Sequence, residues 1–213
     1  MNGAEILIKT AVKAGVEVCF TNPGTTELPL VCAFDTVPGI RPILGLFEGC
    51  CTGAADGYGR MTGQPAMTLL HLGPGLGNGI ANLHNARRAR TPVLNVIGEH
   101  ATWHRSADSP LSMDIVALAE SVSGWQRTST VSQHLSQDTA DAITAALSGK
   151  VATLIVPSDV QWSEKSGDDK IHPPKAFDGF VETESIERTV ALLRTEKKAA
   201  LILGGWTLRP RRL

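Results

Sequence analysis

Short apolar runs recur along this chain, each separated from the next by a stretch of helical spacing, and that alternation restricts the fold more than any other feature. Asn2 followed by Glu5 matches a capping box, opening a helix to about residue 14 with Ile6, Leu7, Ala11 and Val12 on one face. Gly15 ends it, and the apolar run 16–20 reads as a buried strand broken by Asn22-Pro23-Gly24. Thr25 or Thr26 is placed to cap a second helix carrying Leu28, Val31, Cys32 and Phe34, closed by Pro38-Gly39. Further strands are expected at 43–47, 66–72, 93–97, 125–128 and 152–156, and helices at 48–61, 76–88, 115–121 and 138–147, with Gly73-Pro74-Gly75 as a turn. Strands alternating with helices of roughly ten to fifteen residues imply βαβ units. The predicted fold is therefore α/β, a doubly wound parallel sheet with helices on both faces.

The composition changes after Pro157. Residues 1–160 read as a complete N-terminal domain, and 161–182 as a polar linker containing Pro173-Pro174 and the charged run Glu164 to Lys170. A helix at 183–193 and a strand-like run at 199–205 read as the opening of a second, truncated domain, since a strand with no sheet to join is hard to stabilise. Lys plus Arg total 20 against 21 Asp plus Glu, with no basic stripe, which argues against a nucleic-acid partner. The cluster Arg209, Arg211 and Arg212 reads as a solvated tail. No apolar run approaches the ~20 residues that span a bilayer, and no secretory signal is visible, so a cytoplasmic, membrane-free protein is expected. The four cysteines, Cys19, Cys32, Cys50 and Cys51, are read as small buried thiols of a reducing compartment, since no C-x-x-C spacing suggests a metal.

In a parallel α/β sheet, ligands gather where strand C-termini give way to loops and helix N-termini. Three such places stand out: Asn22-Pro23-Gly24-Thr25-Thr26-Glu27, Glu48-Gly49, and His71 through Gly79. The glycine-rich third stretch lacks the Gly-Lys-Ser/Thr ending of a Walker loop, and its glycines at 73, 75, 77 and 79 do not fit G-x-G-x-x-G. By itself it marks a sharp turn or a close backbone approach to a ligand. Glu48 lies between Leu46-Phe47 and a helix of small residues, a setting liable to desolvate a carboxylate and raise its pKa. The plain alternative is a first-turn glutamate facing the helix dipole in solvent. His100 and His104 are four apart, but Gly98 and Trp103 favour a loop there over a helical metal pair.

Taken together, Phe20-Thr21-Asn22-Pro23-Gly24-Thr25-Thr26-Glu27-Leu28-Pro29, the run from Glu48-Gly49-Cys50-Cys51 to Asp56-Gly57-Tyr58-Gly59-Arg60, and Gly73-Pro74-Gly75-Leu76-Gly77-Asn78 resemble the N-terminal domain of thiamine-diphosphate enzymes. The group is that of acetolactate synthase, pyruvate oxidase and benzoylformate decarboxylase, and the likeness spans about residues 3 to 160. The resemblance implies thiamine diphosphate as cofactor, with Glu48 as the carboxylate that hydrogen-bonds N1′ of the aminopyrimidine and favours the tautomer whose 4′ nitrogen deprotonates thiazolium C2. It implies cofactor contacts from Pro23, Gly24, Thr25, Glu48, Pro74 and Asn78. His71 stands where benzoylformate decarboxylases carry an active-site histidine, and Thr25 where they carry a serine; acid/base duty and pocket lining are both open for His71. Phe47 and Gly49 depart from the His and Gln that usually flank the glutamate in acetolactate synthases, whereas Asn82 to Arg88 and Gly98 to His104 look like acetolactate-synthase-like large subunits.

The expected function follows from that resemblance: the pyrimidine-side domain of an acetolactate-synthase-like enzyme that decarboxylates and ligates 2-oxo acids, inactive alone. Mg2+ is expected to be held by a C-terminal domain that this chain does not contain, and no metal by these residues. A homodimer or higher homo-oligomer, or a full-length paralogue or separate chain supplying the diphosphate-binding domain, would complete the site. A benzoylformate-decarboxylase-like enzyme and a non-catalytic pairing or regulatory module of the same fold are the alternatives, with an unrelated flavodoxin-like nucleotide binder more remote.

Overall fold

The computed structural model describes residues 1–164, 181–195 and 198–204. Six parallel strands form one sheet in the order β2-β1-β3-β4-β6-β5: β1 (Val18–Asn22), β2 (Arg41–Leu44), β3 (Ala66–His71), β4 (Val93–Glu99), β5 (Trp125–Thr128) and β6 (Val151–Pro157). α1 (Gly3–Lys13) precedes β1, and between successive strands run α2 (Leu28–Thr36), α3 (Glu48–Thr62), α4 (Leu72–Arg88), α5 (Ile115–Glu120) and α6 (Leu135–Leu147). The doubly wound α/β architecture is therefore as the alternation implies.

Successive side chains of a strand point to opposite faces, so a strand buried on both sides reads as continuously apolar. Met67, Leu69, Leu94, Val96, Ala152 and Leu154 accordingly pack against α1, α2 and α6. Ala66, Val93, Ile97, Val151 and Ile155 pack on the other face, against α3, α4 and α5. That second face also holds a buried polar ladder. Thr68 donates to Asn95 Oδ1 at 2.7 Å, Asn95 Nδ2 donates to Thr153 at 3.0 Å, and the Thr153 hydroxyl meets that of Ser123 at 2.6 Å.

Local signals account for several boundaries. Asn2 and Glu5 make the full capping box of α1, and Gly15 and Gly63 end α1 and α3 at φ of 83° and 75°, where a Cβ would be strained. Other boundaries differ from the sequence reading. β2 covers Arg41–Leu44 rather than 43–47. Its last ladder bond is Gly45 N to Thr21 O, after which the chain bends into α3 and leaves Leu46 almost fully exposed. Neither Thr25 nor Thr26 caps α2; Thr25–Glu27 form a 3-10 turn instead. Gly73-Pro74-Gly75 is not a separate turn but the opening of α4, where proline's missing N–H would have had no partner anyway.

A seventh helix, α7 (Ser158–Trp162), opens the polar stretch after β6, and its Val160 joins the core beside α1. Residues 165–180, including Pro173-Pro174, and the tail with Arg209, Arg211 and Arg212 lie outside the described residues. The chain comprises two compact units, Met1–Lys175 and Ala176–Leu213. In the second, α8 (Thr183–Leu193) is helical as expected. The run 198–204 forms no strand, in keeping with a segment that has no neighbouring strand to pair with among the described residues. Two of the four cysteines also depart from expectation. Cys19 and Cys51 are buried, and burial pushes both thiols up, but Cys32 and Cys50 are exposed on α2 and α3.

Candidate functional site

Because all strands run the same way, their C-terminal ends share one edge of the sheet. The chain passes from β1 outward to β2, then returns to β3 on the other side of β1. Such a reversal opens a crevice above the strand ends. Asn22 pairs with Leu70 there, so the residues after Asn22 and those after Leu70 meet at its mouth.

Of the buried carboxylates at this edge, two, Glu48 and Glu27, stand beside the crevice. Glu48 is the first residue of α3 and 8 % exposed. A negative charge is favoured at a helix N-terminus by the unpaired amide groups. Asn78, in the second turn of α4, donates to its Oε2 at 3.0 Å, while Oε1 makes no hydrogen bond among the described residues. The contact follows from how closely α3 and α4 approach. Thr52 donates to Gly79 O at 3.0 Å and Asn82 to Gly49 O at 2.7 Å. A side chain on Gly79 would press on Thr52.

The second carboxylate is Glu27, fully buried at the end of the 3-10 turn. Its Oε2 accepts from Gly24 N at 2.7 Å and lies 2.8 Å from His71 Nδ1; its Oε1 accepts from the Thr26 hydroxyl. The same hydroxyl is 3.1 Å from His71 Nδ1. The hydrogen bond to Glu27 raises the His71 pKa above the ordinary histidine value, against the effect of burial, and the charges of Glu27 and Glu48 act in the same direction. Gly24 lies against the imidazole, and Gly98 on β4 lies under the Glu27 carboxylate; a Cβ at either would collide.

His71 is the last residue of β3, and Leu72, which follows it, is held at φ 54°. A left-handed non-glycine residue costs about 1–3 kcal/mol. Here it turns the buried strand abruptly into α4, so that His71 and Pro74 flank the same corner.

The structure thus joins Glu48 to Asn78, and Gly24 to His71. It leaves Thr25 exposed and turns the hydroxyl of Thr26 toward His71. Sequence reasoning missed Glu27, although it lies in the N-P-G-T-T-E run.

Beside the α4 N-terminus, where Met113 packs on Gly73, lies a cavity of about 420 Å3 lined by Glu99, Thr102, Arg105, Ser106, Ser112 and Met113. None of the expected site residues lines it. His100 and His104 sit in a loop, as their neighbours imply, with rings 5.6 Å apart; His104 stacks on Trp103 and His100 bonds Pro110 O. No cluster of three or more metal-ligating side chains occurs among the described residues. No helix among them is long and apolar enough to cross a membrane.

The fold is an α/β domain with a parallel sheet and a buried glutamate at a helix N-terminus beside its crevice, and the comparisons with known proteins give its family. The profile of the thiamine pyrophosphate enzyme N-terminal TPP binding domain matches residues 1–118, more than half of the chain. The chain belongs to this family, as the N-terminal thiamine pyrophosphate (thiamine diphosphate) binding-type domain of an acetolactate-synthase-like protein.

It is 50% identical over 206 residues to the acetolactate synthase large subunit-like protein IlvX of Mycobacterium tuberculosis, covering 96% of this chain and 39% of that protein. With a benzoylformate decarboxylase of Pseudomonas aeruginosa it shares 31% identity over 153 residues, 70% of this chain and 28% of the relative. The thiamine diphosphate-dependent 4-hydroxybenzoylformate decarboxylase of Rhodococcus jostii RHA1 has the same fold. Its TM-score is 0.80 at 23% identity, over 91% of this chain and 37% of the other. The chain therefore spans less than two fifths of the length of these three proteins.

Proposed function

We propose that this chain supplies the aminopyrimidine side of a thiamine-diphosphate site in an acetolactate-synthase-like enzyme that decarboxylates 2-oxo acids and ligates the product. One observation carries the reading most directly. Glu48 is buried at a helix N-terminus with one oxygen fixed by Asn78 and the other open, which suits a carboxylate that must share a proton with a ring nitrogen.

When bound, the cofactor supplies a stabilised carbanion equivalent at its thiazolium carbon. Glu48 holds a proton at the pyrimidine N1′, and Asn78 keeps that carboxylate oriented. Pro23, Gly24, Thr25 and Pro74, grouped around the sheet edge, line the pyrimidine pocket. His71 serves as acid or base toward the substrate. Mg2+ and the diphosphate are held by a C-terminal domain outside residues 1–213. A homodimer, or another chain bearing that domain, completes the site. Residues 1–160 act as the N-terminal domain, 161–182 as the linker and 183–213 as the start of the next domain, in a cytoplasmic protein.

The position of His71, hydrogen-bonded to a buried carboxylate at the cleft mouth, favours simple decarboxylation of a benzoylformate-type substrate as the second reading. Calorimetric titration of thiamine diphosphate and Mg2+, with and without the chain bearing the diphosphate domain, tests the proposal. Binding only in the completed assembly, followed by C2 proton exchange that Glu48→Gln slows, is the expected result. No binding in either case would leave the chain as a non-catalytic pairing module.

A further inference from the structure

We infer that Glu27 is a positioning residue for His71: lodged over the bare Cα of Gly98, its carboxylate fixes the proton on Nδ1 and leaves Nε2 as the acid/base nitrogen. The inference deepens the acid/base role proposed for His71 and rests on that role. An ionised carboxylate accepts hydrogen bonds and donates none, so at 2.8 Å the ring nitrogen must be the donor. Which nitrogen of a histidine carries the proton is set by the bond the other nitrogen makes. With Nδ1 committed to Glu27, neutral His71 has its lone pair at Nε2, which makes no hydrogen bond among the described residues.

Glu27 cannot act on a ligand itself. It is fully buried, and both of its oxygens are occupied within the protein, by Gly24 N, His71 and Thr26. Burying a carboxylate is costly unless it is fully hydrogen-bonded, and an apolar residue of equal volume would pack with no such requirement. The surroundings are arranged to keep it nonetheless. Glycine inside a buried strand weakens the strand and marks a close approach by another group. Gly98 pairs directly with His71 across β3 and β4, so the missing side chain opens room beside the imidazole for the Glu27 carboxylate. Gly24 does the same for the imidazole ring. The other ionisable group acting on His71 is Glu48, from α3.

The test is long-range proton–nitrogen NMR of the His71 ring across pH, on the intact chain without cofactor, for wild type, Glu27→Gln and Gly98→Ala. In wild type, neutral His71 should carry its proton on Nδ1. In Glu27→Gln the titration midpoint should fall back toward the ordinary histidine value, and Gly98→Ala should reproduce that fall by displacing the carboxylate. A neutral wild-type ring protonated on Nε2 would overturn the inference, as would an unmoved midpoint in folded Glu27→Gln. If neither variant folds, the wild-type tautomer decides alone. A purely structural Glu27 would change melting temperature without governing the tautomer. In the completed, cofactor-loaded assembly, the pH–kcat/KM limb assigned to His71 should move down with the midpoint in Glu27→Gln. The NMR result needs no cofactor, so an absence of thiamine-diphosphate binding would sink the proposed function while leaving this measurement to stand or fall separately.

Discussion

Glu27 and Glu48 are both buried glutamates at the same edge of one sheet, yet their surroundings prepare them for different work. Glu27 spends both oxygens inside the protein, whereas Glu48 has one fixed oxygen and one open. A carboxylate whose hydrogen-bonding capacity is filled holds its neighbours in place. One left partly unfilled beside a cleft is available to a ligand. Burial alone does not separate the two roles; the inventory of partners does.

Substitutions can break that contrast in graded steps. Glu48→Gln should slow C2 proton exchange by about 10²–10⁴-fold in the cofactor-loaded assembly, with little change in melting temperature. Glu27→Ala should act mainly on stability, removing about 1–3 kcal/mol in a denaturant titration, because it leaves Gly24 N and His71 without their partner.

The pH dependence of that second loss has a definite sign. The folded-state pKa of His71 is raised, so the stabilisation by the Glu27–His71 pair is complete below the unfolded histidine value of about 6.5 and fades as pH rises through the folded value. The difference between wild type and Glu27→Ala should accordingly narrow on the alkaline side, and a gap that widens there would contradict the pairing. Asn78→Ala removes the hydrogen bond that orients Glu48, and should slow exchange by less than about tenfold. Thr26→Val, which removes one of three donors to Glu27, should cost only about 0.5–1.5 kcal/mol by thermal melting.

Much of this molecule is legible in its sequence because the relevant interactions are local or periodic. The Asn2–Glu5 capping box needs only residues three apart, and the central strands declare themselves as unbroken apolar runs. The β2 boundary is harder to read. Leu46 and Phe47 extend the apolar run, but the ladder ends at Gly45, where a side chain would strike Cys51 of α3. The opening of α4 is obscured by its glycines, whose conformational freedom suggests a turn when the packing of Gly73 on Met113 and Gly75 on Leu70 is not in view.

The local setting of Glu48 marks it and the family resemblance adds Asn78, and the contact between the two is consistent with both. Glu27 could not be found in that way. Its burial depends on Gly98, on a strand that the chain reaches only after two further βα units. The exposure of Cys32 and Cys50 is equally hidden, since helix composition does not by itself reveal which face meets solvent.

The polar ladder of Thr68, Asn95 and Thr153 bears on a problem that the apolar core leaves unsolved. Strands greasy on both faces can slide past one another and still bury every side chain, so hydrophobicity alone is nearly indifferent to their alignment. A slipped β4 would strand the Asn95 amide among hydrocarbon, losing about 1–3 kcal/mol for each unpaired group. The ladder is therefore an index mark for strand alignment, and its reading is carried forward along the backbone. Thr68 opposite Asn95 obliges His71, three residues on, to stand opposite Gly98. A polar bond deep in the sheet thereby fixes which residues face each other at its rim.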